Sequence, residues 1–202
     1  MPRISAERLQ DRVEGLLDAA RSVFAEKGYL AATMTDIARE AGVSDGLAYR
    51  YFTSKRELLL AILDGFYARI IHDLEQSVVT IADFEVRFFA FIHKHIELFV
   101  SDVDVCRLVI AEVRNFEDYF GSEAHDLNRR YTSVLMRILD AGVAEGRIAP
   151  HIDGRLVRDM LFGGIEHLAW RHIVLGQPID VDRVARQIGD MLLGGLRGSQ
   201  TL

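Results

Sequence analysis

Apolar residues recur at intervals of three and four along nearly the whole chain, and nowhere does an alternating strand pattern flank a two-residue hairpin turn. This periodicity predicts an all-α protein. The first helix is expected from about Ala6 to Lys27, with Val13, Leu16, Leu17, Ala20, Val23 and Phe24 on one face and Arg12, Asp18 and Arg21 elsewhere. Gly28 ends it, and Lys27 stands in the last turn, where the helix dipole favours a cation. Two short helices follow, Thr35 to Ala41 and Asp45 to Phe52, separated by Gly42-Val43-Ser44. The next, Lys55 to Ser77, carries the apolar stripe Leu58, Leu59, Ile62, Phe66, Ile70 and Leu74 and reads as a rod connecting two domains. Further helices are expected at Asp83 to Val100, Val103 to Phe116, Ser122 to Glu145, Gly154 to Leu175 and Val181 to Leu196, about nine in all.

Two short helices joined by a tight glycine-containing turn form the helix-turn-helix layout, whose second helix enters the major groove of DNA. Ile37, Ala38, Val43, Ala48 and Phe52 supply a small core that fixes the crossing of the pair, and Ser44 suits the N-cap of the second helix. Gly42 sits in the turn, where left-handed backbone is expected and a Cβ would be penalised. That core leaves Ser44, Asp45, Gly46, Leu47, Tyr49 and Arg50 facing outward. Arg50 has the donor fork for guanine O6 and N7, and Leu47 can touch a thymine methyl, so these two are the base-reading candidates. Thr35, Tyr49, Tyr51 and Lys55 carry donors near helix ends and suit phosphates, which position a protein without reading sequence. Lys55 also opens the long helix, so its charge and the helix N-terminal amides are expected to converge on one phosphate.

The stretch Ala19-Ala-Arg-Ser-Val-Phe-Ala-Glu-Lys-Gly-Tyr29, then Thr35-Asp-Ile-Ala38, Ala41-Gly-Val-Ser44, Gly46, Tyr49, Tyr51-Phe52, Ser54-Lys55 and Leu58, resembles the DNA-binding domain of the tetracycline-repressor (TetR) family over about residues 8 to 60. The resemblance implies a homodimeric all-helical repressor that releases a palindromic operator when a small ligand enters its C-terminal domain. It divides the chain into a helix-turn-helix domain, 1–54, and a helical ligand-binding and dimerisation domain, 55–202. Two positions depart from the family's pattern: Leu47 replaces the common Thr or Ser, and Asp45 replaces a frequent Lys. Asp45 would repel a phosphate and is suited instead to accept from cytosine N4.

Farther along, Val109-Ile-Ala-Glu-Val-Arg-Asn115, Ile138-Leu-Asp-Ala-Gly-Val-Ala-Glu-Gly-Arg-Ile148 and Arg158-Asp-Met-Leu-Phe-Gly-Gly-Ile-Glu166 resemble the branch of fatty-acid-degradation repressors induced by long-chain acyl-CoA. Such a ligand needs an apolar tunnel with cations at its mouth for the CoA phosphates. Phe66, Phe88, Phe89, Ile92, Phe99, Leu108 and Phe116 are the candidate lining, and Arg114 and Arg130 the candidate phosphate partners. The same aromatic residues are equally suited to be core alone. A drug-like or aromatic effector is the alternative within this architecture; a helical lipid carrier or enzyme that does not bind DNA is the alternative outside it.

Leu156, Val157, Met160, Leu161, Phe162, Ile165, Leu168, Trp170, Ile173 and Val174 surround the Gly154 to Leu175 helix almost completely, which requires cover on both sides. Gly163-Gly164 in this helix and Gly194-Gly195 in the next each cost about 1 kcal/mol relative to Ala unless they permit close approach. The expected use is an isologous two-fold dimer interface through Met160, Gly164, Leu168, Ile188 and Leu192.

Composition narrows the partners. The 202 residues are 50% hydrophobic and 27% charged, which excludes a disordered or fibrous chain. The formal net charge of -6 argues at first against a nucleic-acid partner. The charge is unevenly placed: residues 1–60 hold nine Lys/Arg and nine Asp/Glu, so the other 15 basic and 21 acidic residues carry the whole excess. One cysteine, Cys106, excludes an internal disulfide framework and suggests a reducing compartment, and the N-terminus lacks the apolar core of a signal peptide. No apolar run reaches the roughly 18 residues of a membrane helix, so a cytoplasmic protein is expected. His93 and His95, two apart on a helix, point to different sides and predict no metal site. His167 and His172 stand without a nucleophile elbow, Walker loop or His-Glu-x-x-His motif, so no enzyme and no cofactor are expected.

Overall fold

The computed structural model describes residues 6–197, which are helical without a strand among them. The helices are α1 (Ala6–Lys27), α2 (Met34–Glu40), α3 (Asp45–Tyr51), α4 (Lys55–Ser77), α5 (Phe84–Ser101), α6 (Val103–Ala111), α7 (Glu123–Ala144), α8 (Gly154–Leu175) and α9 (Val181–Leu196), with a 3-10 turn at Val113–Asn115. The expected all-α architecture is thus observed, with one substantive difference. The helix anticipated from Val103 to Phe116 ends at Ala111, where Glu112 leaves helical backbone (φ -123°, ψ -57°) and the 3-10 turn follows.

Compactness divides these elements into two units that interleave along the chain. The first contains the residues through Phe66 together with Asp104–His125; the second contains Tyr67–Val103 and the residues from Asp126 onward. The long helix α4 therefore gives its first half to one unit and its second half to the other, where the sequence reading draws its functional boundary at 54/55.

In the first unit, Leu16, Ala20, Val23 and Phe24 of α1 are buried with Ile37 and Ala38 of α2, Ala48 of α3 and Leu58, Leu59 and Ile62 of α4. These are the i, i+3, i+4 positions of each helix, so the apolar stripe that the periodicity shows is the buried one. In the second unit, α5 is central and packs on α8 and α9, burying Phe84, Phe88, Phe91, Ile92 and Ile96. A Cβ added to Gly189 of α9 would stand 2.1 Å from a ring carbon of Phe89, so that glycine is what lets α9 reach α5. Arg87 is buried on α5, but its guanidinium donates to the carbonyls of Ile81 and Ala82 and to Glu145, which supplies the counter-charge that burial requires.

Candidate DNA-binding surface and effector cavity

Local chemistry fixes the helix-turn-helix. Thr33 caps α2 by accepting from the Asp36 amide at 3.1 Å while the Asp36 carboxylate accepts from the Thr33 amide at 3.2 Å, a reciprocal capping box. At the other end the Val43 amide donates to Ala38 O and the Gly42 amide to Arg39 O, at 2.9 and 3.1 Å. This pair of bonds is the Schellman closure, and it places Gly42 at φ 65°, left-handed backbone that a side chain would strain. Ser44 then caps α3 by accepting from the Leu47 amide.

Burial sorts the residues of α3 into faces. Ala48 is fully buried, Leu47 and Tyr51 are half-buried, and Asp45, Gly46, Tyr49 and Arg50 are exposed. The exposed four stand at i, i+1, i+4 and i+5, a single helix face. Ser44 and Thr35 are exposed beside them. Of the nine residues expected to meet DNA, four have side chains engaged by the protein itself: Ser44 in its cap, Thr35 and Asp45 with each other, and Lys55. Thr35 Oγ1 donates to Asp45 Oδ2 at 2.7 Å. The Lys55 ammonium donates to the carbonyls of Tyr29, Leu30 and Ala32 at 2.8, 3.0 and 3.0 Å and lies 4.6 Å from the centre of the Tyr29 ring. All three of its N–H donors are used on the loop between α1 and α2.

That loop is also held from the other direction. The Glu112 carboxylate accepts from the amides of Tyr29 and Leu30 at 2.9 and 3.2 Å, so a cation binds the loop's carbonyls while an anion binds its amides. Phe116 packs on the Tyr29 ring at 5.2 Å, and Arg56, lying over Phe116, donates to Asp118 at 2.6 Å. Burial pushes the Tyr29 hydroxyl above the ordinary tyrosine pKa. Beneath the loop, Asp36 accepts from Lys27 at 2.7 Å and pairs with Arg39; the Lys27 ammonium and then the Thr33 hydroxyl hold its carboxyl well below the usual aspartate range.

A cavity of about 310 Å³ opens in the second unit, lined by Arg69, Ile70, Asp73 and Leu74 of α4, Lys94, Glu97, Leu98 and Ser101 of α5, and Tyr131 of α7. Ile70, Leu74, Leu98 and Tyr131 form an apolar floor. Arg69 donates to Asp102 at 3.0 Å, and Lys94 pairs with Asp73 at 3.1 Å and Glu97 at 3.4 Å. The hydrogen bond to Asp73 raises the Lys94 pKa above the ordinary lysine value, so it is a cation throughout the neutral range. The hydroxyl of the lining residue Tyr131 and His95 Nδ1 are 2.7 Å apart, with the His95 ring packed against Phe99 and Phe162.

The residues expected to line an effector site do not line this cavity. Phe88 and Ile92 are fully buried in the second unit's core, Phe99 packs on His95, and Phe89 packs on Gly189. Arg130 is exposed on α7. Phe66 and Leu108 are buried in the first unit, to which Arg114 and Phe116 also belong. Arg69, Lys94, Tyr131 and Glu112 were not singled out by sequence: the first two lie on polar helix faces that periodicity gives to solvent, and Glu112 acts on residues about 80 positions away.

On α8, Leu156, Met160 and Leu168 are 59%, 61% and 52% exposed, an apolar face that the protomer leaves uncovered. Gly163 and Gly164 are exposed on the same helix with nothing near their missing Cβ positions; Gly194 and Gly195 of α9 are likewise exposed, with nothing near theirs. Ile188 and Leu192 are half-buried beside Met191, which is 77% exposed. Among the described residues no helix is long and apolar enough to cross a membrane, and no group of three His, Cys, Asp or Glu is placed to hold a metal.

Residues 16–62 match the family described as bacterial regulatory proteins, tetR family, and residues 66–195 match the C-terminal region described as YsiA-like. The chain is 27% identical over 181 residues to the fatty acid metabolism regulator protein of Bacillus subtilis, covering 90% of this chain and 93% of that one. It is 30% identical over 186 residues to the HTH-type transcriptional repressor KstR2 of Rhodococcus jostii, covering 90% and 89% respectively. Among solved structures, the transcriptional regulator FadR from Bacillus subtilis in complex with stearoyl-CoA superposes with a TM-score of 0.82 at 27% identity, over 90% of this chain and 98% of that one.

Proposed function

Because the chain belongs to the TetR family of bacterial regulatory proteins and is a transcriptional repressor, as its relatives are regulators and not enzymes, we propose that it works as a homodimer on an inverted-repeat operator and is released by a long-chain acyl-CoA. The carrying observation is the single exposed face of α3, with Arg50 on it and Leu47 at its edge, fixed by three independent caps. Arg50 reads guanine and Leu47 a thymine methyl, while Ser44, Tyr49 and Tyr51 meet phosphates. Two such helices, related by a two-fold axis through the α8 and α9 faces, reach successive major grooves about 34 Å apart. Met160, Gly164, Leu168, Ile188 and Leu192 are the proposed contacts.

The effector reading rests on the cavity between α4, α5 and α7, with its apolar floor and the cations Arg69 and Lys94 on its rim, and on the stearoyl-CoA bound by the similar FadR. A volume of about 310 Å³ is at the small end for ligand sites. An acyl chain has to part the surrounding helices, and α4 carries that movement into the half of the helix that belongs to the DNA-binding unit. Phosphates at the rim compete with Asp102 and Asp73 for Arg69 and Lys94. A compact drug-like or aromatic effector is the second reading, favoured by the same small volume. Mobility-shift titration of the protein's own promoter DNA tests both: stearoyl-CoA is expected to release the complex and free stearate to release it less. Release by neither, with thermal stabilisation by a compact aromatic compound, overturns the acyl-CoA reading and leaves the repressor.

A further inference from the structure

From the Thr35–Asp45 contact we infer that Asp45 is a base-reading residue that selects cytosine in the operator half-site, with Thr35 as the residue that positions it. The inference deepens the DNA-binding reading above and rests on α3 entering the major groove.

Three observations carry it. Asp45 shares the exposed face of α3 with Gly46, Tyr49 and Arg50, while the opposite face is buried on Ala48. Any approach that brings Arg50 to base edges therefore brings the Asp45 carboxylate into the same groove. Among the described residues Asp45 makes no ion pair, so no cation of the protein offsets its charge there. Its Oδ2 is bound at 2.7 Å by the hydroxyl of Thr35, which projects from the first turn of α2, so the carboxylate is fixed across the two helices.

A hydroxyl has one hydrogen. With it directed at Asp45, the Thr35 side chain is not available to donate to a phosphate, and a phosphate is also the group that a carboxylate repels. The remaining acceptor, Oδ1, meets a base that offers a donor. Cytosine offers N4–H₂ in the major groove without an adjacent acceptor, whereas adenine N6–H₂ lies beside N7, whose lone pair opposes the carboxylate. Guanine and thymine present acceptors to it. Asp45 thus discriminates mainly by penalty: a wrong base leaves a desolvated carboxylate facing an acceptor. Arg50 and Asp45 supply opposite requirements on one face, a donor fork for guanine and an acceptor for cytosine.

The test is selection from a pool of randomised duplexes by the full-length protein, with sequencing of the bound fraction for wild type, Asp45→Asn, Asp45→Ala, Thr35→Val and Thr35→Ser. The wild type is expected to enrich cytosine roughly ten-fold over other bases at one position of each half-site. Asp45→Asn should move that preference to adenine, since a carboxamide pairs with N6 and N7 together, and Asp45→Ala should lose it while binding random DNA more tightly. Thr35→Val should keep cytosine at reduced enrichment with the other positions unchanged, and Thr35→Ser should restore it; a merely structural threonine would lower enrichment at all positions together. A wild-type half-site reproduced unchanged by both Asp45 variants overturns the inference alone. A wild type that enriches no sequence overturns the DNA-binding reading and this inference with it.

Discussion

Replacing Lys55 by Met removes an ammonium whose donors meet three carbonyl oxygens while keeping a stem of similar length. Two of those bonds, to Tyr29 and Ala32, are partly buried and the third, to Leu30, is exposed to water. A hydrogen bond from a charged donor contributes about 1.5–3 kcal/mol, but three that share one charge are not additive and the exposed carbonyl is resolvated. Counting the two sheltered bonds at the lower figure, with about 0.5 kcal/mol for the cation over the Tyr29 ring, gives about 3.5 kcal/mol in all. For a chain of this size that is a fall in melting temperature of about 7–14 °C. Lys55→Arg is expected to recover only part of it, because a planar guanidinium cannot place three donors on three converging carbonyls. Melting followed by circular dichroism supplies the stability, and operator affinity measured at several salt concentrations supplies the second observable. An anchor of the loop changes the melting temperature and leaves the slope of log affinity against log salt as it was. A phosphate ligand does the reverse: an unchanged melting temperature with a slope shallower by about 0.9 per site would refute the account of Lys55 as an internal anchor.

Four shorter tests follow. Arg50→Ala should cost about 1–3 kcal/mol of operator affinity and relax the preference at one base position, read by competition with single-base operator variants. Glu112→Gln, which retains one acceptor for the amides of Tyr29 and Leu30 but loses the charge, should lower stability by about 1 kcal/mol in urea titrations; no change would mean that the clamp contributes nothing. Met160→Arg, on a face that is 61% exposed at that residue, should leave the protomer folded but shift sedimentation from dimer to monomer. The carboxyl of Asp36 titrates below its ordinary 3.8 in the folded chain, so the stability it carries is complete above that value and shrinks as pH falls beneath it. Melting temperature should therefore drop less steeply with acid for Asp36→Asn than for wild type, and parallel curves would remove Asp36 from the acid response.

The parts of the molecule that sequence reveals are those decided by neighbours in the chain. Thr33, Gly42 and Ser44 each cap or close a helix through atoms three to five residues away, so the helix-turn-helix is legible before any folding is considered. Likewise the exposed apolar residues of α8 were visible as a helix with too many apolar sides. The cavity was not legible, because periodicity separates buried faces from solvent faces and cannot distinguish core from cavity wall: the phenylalanines of α5 became core, and the cavity's charged lining came from the polar side of the same helix. Glu112 and the early end of α6 were hidden for a related reason. Nothing near Ala111 calls for a helix to stop there; the partners of Glu112 lie on the loop after α1.

The interleaving of the two units bears on how this repressor could be taken apart or recombined. A cut after Phe66 would yield a fragment that contains both helices of the DNA-reading motif but lacks Glu112, Phe116 and Asp118, which belong to the same compact unit. A chimera that grafts only that fragment onto another repressor's body would give the loop after α1 a foreign partner in place of Glu112. The segment Asp104–His125, which completes that unit, is also the covalent bridge between α5 and α7, two of the three helices that wall the cavity. The breakpoints for recombining this chain are therefore not those that a linear map of domains would suggest.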